Sequence, residues 1–347
     1  MQQFDYLIVG QGLAGSILTY QLLEKGYSVA IVDEGSGNTS SRQATGLINP
    51  ITGRRFVKSW MIDELLPFAK NFYQTLSKKL SSDFFKETKQ YKVLHNLEQV
   101  NDFNGRLNDE GYSNYLSVLK DKPIEAIIAE HPTALIKPIL QMNIPAMQDA
   151  LLLHFRKHAF VCNEMMNFDH VEIQKNFFQY RDITASKIIF AEGYKMRFNP
   201  FFNDLPIRFA KGEALIIKSK GLKLDAILNS KTSLTPMGED RYYVGASYDW
   251  NDLEQQPTVA KRAYLIDNLE KSINTPFEII DHKVGIRPTV TDRRPLIGEH
   301  ITHKGMYVFN GMGTKGLSLA PYFASQLIDH IEEGKALHPE VAISRFL

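Results

Sequence analysis

Asp5-Tyr6-Leu7-Ile8-Val9-Gly10-Gln11-Gly12-Leu13-Ala14-Gly15 is an apolar run that breaks into three closely spaced glycines. Tyr6 to Val9 has no polar interruption, as expected of a strand buried on both faces. After the glycines, Ala14, Ile17, Leu18, Leu22 and Leu23 recur at helical spacing, and Gly26 is placed to end that helix. Val29 to Val32 is a second apolar strand, closing at Asp33-Glu34. The unit is strand, turn, helix, strand, and each glycine has a task in it. Gly10 permits the tight turn, Gly12 lets the backbone approach a pyrophosphate, and Gly15 lets helix and strand pack closely. Gly12, Leu13 and Ala14 open the helix, whose free N–H groups and positive dipole end suit phosphate. A carboxylate about 20 residues on accepts from a ribose hydroxyl. Asp33 and Glu34 both satisfy that spacing.

Outward from this unit, Gly35 to Arg55 is rich in Gly, Ser, Thr, Asn and Arg and reads as an extended loop. Trp60 to Leu80 and Pro145 to His158 read as helices. Lys187 to Phe190 is a short strand ending at Ala191-Glu192-Gly193, which places Gly193 beside the first turn. Ala214-Leu215-Ile216-Ile217 and Tyr242-Tyr243-Val244-Gly245 suggest an antiparallel sheet. Met306 to Phe309 is a strand that runs into Gly311-Met312-Gly313-Thr314-Lys315-Gly316, with a helix continuing to about Glu333. This second glycine-rich strand-to-helix turn separates flavin from nicotinamide. Another helix N-terminus aimed at the ligand stabilises the negative charge a reduced flavin carries near N1. The expected fold is α/β. A Rossmann-like FAD/NAD(P)-binding domain is formed by 1–80, 142–200 and 285–347, with an inserted antiparallel-sheet substrate domain formed by 81–141 and 201–284.

Composition sets further bounds. The 347 residues carry 40 Lys plus Arg against 39 Asp plus Glu, a formal net charge of +1. That balance demands no nucleic-acid partner and no membrane surface. No apolar stretch reaches the ~20 residues of a membrane helix, and the first residues read as a strand, not a signal peptide. With one cysteine, Cys162, no internal disulfide forms, and the expected location is the cytoplasm. Cys162 itself is expected in a buried strand. His282 and His303 lack ligand spacing with other His, Cys or acidic residues, so no metal is expected.

Four blocks now stand in order. They are the 5–15 fingerprint, Ser40-Ser41-Arg42-Gln43-Ala44-Thr45-Gly46, Gly285-Ile286-Arg287-Pro288 with Asp292, Pro295 and Gly298, and the 311–316 turn with Ala320-Pro321. Together they resemble the FAD-dependent D-amino-acid oxidase superfamily, which includes glycine oxidase and sarcosine oxidase. Gly245-Ala246-Ser247-Tyr248-Asp249, the 313–317 turn and the loop from Arg42-Gln43 to Asn49-Pro50 are most similar to the FAD-dependent half of the bifunctional tRNA wobble-uridine biosynthesis enzyme. That half removes the carboxymethyl portion of a carboxymethylaminomethyl group on tRNA.

The resemblance implies one non-covalent FAD, contacted by Gly10, Gly12, Leu13, Ala14, Gly15, Asp33, Glu34, Ser41, Arg42, Gln43, Gly46, Gly193, Gly311, Gly313, Thr314, Lys315 and Gly316. It implies hydride transfer from an amine to flavin N5. Arg287 matches the substrate-carboxylate arginine of glycine oxidase, and Lys315 matches the carboxylate lysine of sarcosine oxidase. Both are therefore expected as catalytic-site cations converging on one side of the flavin. Ser233 and Thr314 stand near the places of glycine oxidase's substrate tyrosine and second arginine. Arg42, Arg54 and Arg55 are candidates for contact with pyrophosphate or substrate. Three functions compete: oxidation of a small amine or amino-acid-like molecule, an RNA-modifying reaction that the near-zero net charge does not support, and flavin binding without turnover.

Overall fold

The computed structural model describes residues 1–35, 37, 39–120 and 124–346. Ser36 and Asn38 of the predicted loop, and residues 121–123 of the loosely patterned region, lie outside the described residues. Two large sheets organise the rest.

The first sheet holds five parallel strands in the spatial order Met306–Asn310, Ile183–Phe190, Gln2–Val9, Val29–Asp33 and Phe160–Asn163. Short antiparallel strands at Val171–Ile173, Phe178–Tyr180 and Leu296–Glu299 extend it. The apolar run at 6–9 is explained by its two neighbours and two covered faces. Tyr6 and Ile8 point into one core with Ile17, Leu18, Leu65, Tyr73, Leu151 and Phe323, drawn from the helices Leu13–Glu24, Ile62–Lys79, Ile144–His158 and Gly316–Glu333. Leu7 and Val9 point the other way, among Phe178, Tyr180, Phe190 and Phe202. Each such burial contributes roughly 1.5–3 kcal/mol, which is why no polar residue interrupts the run. Gly26, at φ +88°, ends the first helix as the pattern predicts.

The second sheet runs Glu278–Val290, Ile207–Lys218, Arg241–Gly245, Ser233–Gly238, Ile227–Asn229, Phe85–Val93, Thr133–Met142 and Leu47–Ile48. It is antiparallel throughout this order except where 227–229 meets 85–93 in parallel. Its spine is the long ribbon formed by 207–218 and 278–290. The ribbon's far end touches the first sheet's loops. Ser40 Oγ donates to Ile286 O at 2.5 Å and accepts from Ile286 N at 3.1 Å, and the Gly313 N–H donates to Pro288 O at 2.8 Å. The proposed division of the chain therefore leaves Leu47–Ile48 and Glu278–Val290 pairing across it.

Cys162 lies on a strand, Phe160–Asn163, but half-buried instead of buried. That strand is the edge of its sheet, so one side lacks a neighbour to cover it. Among the described residues, no helix is long and apolar enough to cross a membrane, and no group of three or more His, Cys, Asp or Glu is placed to hold a metal ion.

Candidate active site

The three fingerprint glycines differ in what they avoid. Gly10 adopts φ +99°, and a Cβ there would sit 2.7 Å from Ala191 O. A Cβ on Gly15 would sit 1.9 Å from Gly10 O. Both are required by the protein itself. Gly12 is different: its φ is −67°, and a Cβ would meet nothing nearer than Ser41 Oγ at 3.6 Å. The space in front of this cavity-lining N-cap position is left open. The helix it opens has no cap from its own N-cap side chain and no acid in its first turn. Ser41, reaching in from the loop, accepts from the Leu13 N–H at 3.0 Å.

Asp33 is fixed at the turn. One carboxylate oxygen accepts from the Gln11 N–H at 2.7 Å and the other from the Gly35 N–H at 2.8 Å. Glu34 is drawn to the Lys195 ammonium in a short ion pair. Both line the cavity, as does Glu192, whose carboxyl burial pushes up to about 7 despite a 2.7 Å hydrogen bond from Asn199 Nδ2.

At the opposite end, Gly311 (φ +74°) and Gly313 (φ +55°) turn the chain from the strand Met306–Asn310 into the helix Gly316–Glu333. This helix too has no side-chain N-cap and no acid in its first turn. A Cβ on Gly316 would lie 2.9 Å from Leu13 Cδ2, so two helix N-termini without acids in their first turns come together. They open on one cavity of about 780 Å³.

Its other end is built by the ribbon. Arg287 is half-buried, and its guanidinium lies so flat on the backbone of Gly212 that a Cβ there would sit 2.1 Å from Nη2 and 2.4 Å from Cζ. The Tyr248 ring stacks on it, with Cζ 4.8 Å from the ring centroid, and Nη1 donates to Ser247 O at 3.4 Å. No acidic side chain pairs with Arg287 among the described residues. Tyr243, whose hydroxyl donates to Gln43 O at 3.2 Å, also lines the cavity, and burial pushes its phenol up to about 12.

The structure brings Gly10, Gly12, Leu13, Ala14, Asp33, Glu34, Ser41, Gln43, Gly46, Gly193, Arg287, Gly313, Thr314 and Gly316 to this one wall. It does not bring the others there. Gly15 and Gly311 lie behind the wall, where they relieve contacts within the protein. Arg42 turns away to Asp149 at 2.6 Å. Arg54 and Arg55 are exposed between the short strands Ile51–Thr52 and Val57–Lys58, where buried Phe56 anchors the hairpin and its arginines face outward.

Lys315 is placed apart from Arg287. Its ammonium donates to Ser59 Oγ at 3.1 Å, has no acidic partner among the described residues, and is not in the wall that holds Arg287. Desolvation lowers its pKa to about 8. Ser233 likewise stays off the wall, and Tyr248 supplies the aromatic ring beside the arginine. Gly212, Tyr243, Tyr248 and Glu192 were not among the expected site residues. A visible signal for Gly212 is its place between two charges, Lys211 and Glu213, in a run that continues Ala-Leu-Ile-Ile.

The donor set fits FAD. Two helix N-termini without acids, an open Gly12 and a fixed Asp33 suit an extended dinucleotide with a second anionic end. Cys162 lies outside the wall, which removes one route to a covalent link. Acid precipitation of the yellow protein is therefore expected to release the colour into the supernatant, and a washed pellet that stays yellow would contradict this.

The family profile described as DAO, FAD dependent oxidoreductase, matches residues 5–330. In sequence the chain is similar to the tRNA 5-methylaminomethyl-2-thiouridine biosynthesis bifunctional protein MnmC of Legionella pneumophila (strain Corby). The two are 26% identical over 312 residues, covering 84% of this chain and 45% of that protein. The chain thus spans about half the length of such bifunctional relatives. In fold it is similar to glycine oxidase from Geobacillus kaustophilus, with TM-score 0.82, 20% identity and coverage of 97% of this chain and 96% of that one. Iminodiacetate oxidase from Chelativorans sp. BNC1 has TM-score 0.78, 16% identity and coverage of 97% and 99%. The profile match takes in both ends of the cavity wall, and the chain belongs to the DAO family of FAD-dependent oxidoreductases.

Proposed function

We propose that this oxidoreductase oxidises the C–N bond of a small amine that bears a carboxylate, an amino acid or N-substituted glycine. The observation that carries this reading is Arg287: a half-buried guanidinium in the cavity wall, laid flat and without an acidic partner. Such a group suits a carboxylate received through paired N–H donors. With the carboxylate there, the acid is held at the wall and its α-carbon is presented to the cavity. Flavin, when bound, supplies the acceptor for the hydride that leaves the α-carbon, and the resulting imine hydrolyses in water. The N-terminus of Gly316–Glu333 places positive potential where negative charge develops. Tyr243 stays protonated, its O–H donated to Gln43 O, and is not a base. The Asp33 carboxylate, fixed on the turn, is assigned to the ribose in preference to Glu34, which is drawn to Lys195.

Anaerobic mixing with N-methylglycine, iminodiacetate, glycine and D-alanine should bleach the flavin band, and amines of equal size without the carboxylate should not. Equal bleaching by both sets would sink the anchor. A second reading is favoured by the likeness to the bifunctional protein: the amino acid is the carboxymethylamino end of a modified nucleoside in tRNA. It predicts salt-sensitive reduction by tRNA bearing that group, together with slow reduction by every free amino acid.

A further inference from the structure

Lys211 and Glu213 are each only 1% exposed, in a stretch of strand otherwise apolar from Phe209 to Ile217. Buried charges persist where each is closely partnered. Most of the partners here belong to one segment, the irregular stretch Ser247–Thr258. Ser247 N donates to Glu213 O at 2.9 Å, and Glu213 N donates to Ser247 Oγ at 3.0 Å. Asp249 exchanges both backbone hydrogen bonds with Lys211, at 2.8 and 2.9 Å. The Lys211 ammonium donates to Asp252 Oδ2 at 2.5 Å and lies 3.5 Å from Glu213 Oε1. At the far end, Thr258 donates to the Glu213 carboxylate twice, from N at 2.8 Å and from Oγ1 at 2.9 Å. The same Thr258 Oγ1 caps the helix Val259–Glu270, accepting from Lys261 N at 3.2 Å. From the strand side, His282 Nε2 lies 2.9 Å from Glu213 Oε2.

Outside the pair, the segment is held by the Lys261–Asp249 ion pair at 3.0 Å and by Gln255 Nε2 donating to the Tyr194 hydroxyl, both nearer the surface. Its aromatic side chains Tyr248 and Trp250 are 45% and 52% exposed, so apolar burial contributes little. Yet it carries the Tyr248 ring that lies on Arg287. Strand alternation sends Gly212 to the face opposite its two neighbours, and that face is the seat of the guanidinium.

We propose that Lys211 and Glu213 are positioning residues: a buried charge staple that holds the strap 247–258 so that Tyr248 roofs Arg287. The tripeptide 211–213 thereby builds both floor and roof of the anion seat. The proposal rests on the reading of Arg287 as the carboxylate anchor. Loosening the staple leaves the cofactor and the reacting geometry in place and frees the guanidinium from its plane. It therefore acts on binding of the acid and not on the limiting rate of reduction.

The test uses the FAD-loaded full chain. Asp252→Asn with Thr258→Val cuts the staple from the strap side, and Lys211→Met with Glu213→Gln removes both buried charges together. If the buried pair of changes prevents folding, the strap-side variant carries the test. Strap order is read by chymotrypsin cleavage at Tyr248 and Trp250, and by the anisotropy of Trp250 in a Trp60→Phe background. Both staple variants should be cleaved faster than the parent. Their dissociation constant for an acidic amine should rise about tenfold or more while the limiting rate stays within about a factor of two. Asp252→Glu, which keeps the charge, should behave as the parent. A strap as resistant as the parent's, or a loosened strap with unchanged binding of the acid, overturns the proposal. A loosened strap in a protein where Arg287→Ala itself leaves acid binding unchanged overturns the anchor and, with it, the positioning role, while the mechanical staple stands.

Discussion

A chain with valine at position 12 is expected to purify folded and colourless. Nothing within the protein opposes the change: Gly12 has an ordinary backbone conformation, and Ser41 Oγ at 3.6 Å is the nearest atom to the added carbon. The side chain instead enters the space in front of the helix N-terminus, where the pyrophosphate is proposed to sit. Loss of two charge-assisted hydrogen bonds there, at roughly 1.5–3 kcal/mol each, corresponds to about 10²–10⁴ in affinity. The visible flavin band should be absent, and the thermal midpoint should match that of the parent stripped of cofactor. Gly10→Ala and Gly15→Ala should lower that midpoint, because their added carbons strike backbone. A yellow, fully loaded Gly12→Val protein would move the site elsewhere.

Arg287→Ala should weaken binding of an acidic amine by about 10–100-fold, the equivalent of roughly 1.5–3 kcal/mol for a charge-assisted contact. Gly212→Ala should reproduce much of this loss without touching a charge. Its Cβ would fall 2.1 Å from the guanidinium, and because that neighbour is the end of a long side chain, the arginine moves and the fold survives. Arg287→Lys should also be poor, since an ammonium lacks the planar fork. Lys315→Met should change acid binding far less than Arg287→Ala, because its ammonium is turned to Ser59. Rapid-mixing measurements of flavin reduction against substrate concentration separate binding from rate, and the FAD content of all four variants should stay at one per chain. If Gly212→Ala binds acids as the parent does, the flat seat has no bearing on recognition.

Much of the fold was legible because its signals are local. The run at 6–9, the glycine spacing and the helix ends at Gly26 and Glu333 each depend on a few neighbouring residues, and each was read with small errors at the boundaries. The placement of cations was less legible. Arg42, Arg54, Arg55 and Lys315 all stand beside glycine-rich turns, and sequence cannot say on which side of a turn a long side chain leaves. Asp149, buried Phe56 and Ser59 decide that, and each is distant in sequence or unremarkable by type. Tyr248 was quoted for its motif but not as a site residue, since it reaches Arg287 only through a strap fixed by residues 34 to 45 positions away. Cys162 was misjudged because an edge strand and a central strand share one composition.

The ribbon of 207–218 and 278–290 meets the Ser40 loop, the C-terminal turn at Gly313 and the arginine proposed as carboxylate anchor within three successive residues, 286 to 288. On the proposed reading, cofactor and substrate are held by one beam and not by two separate walls. In thermodynamic terms, the two ligands share a reference state: whatever stiffens the beam for one has already been spent when the other arrives. A carboxylate should bind the flavin-free protein more weakly than the loaded one, and by reciprocity a bound carboxylate should tighten the binding of flavin by the same factor.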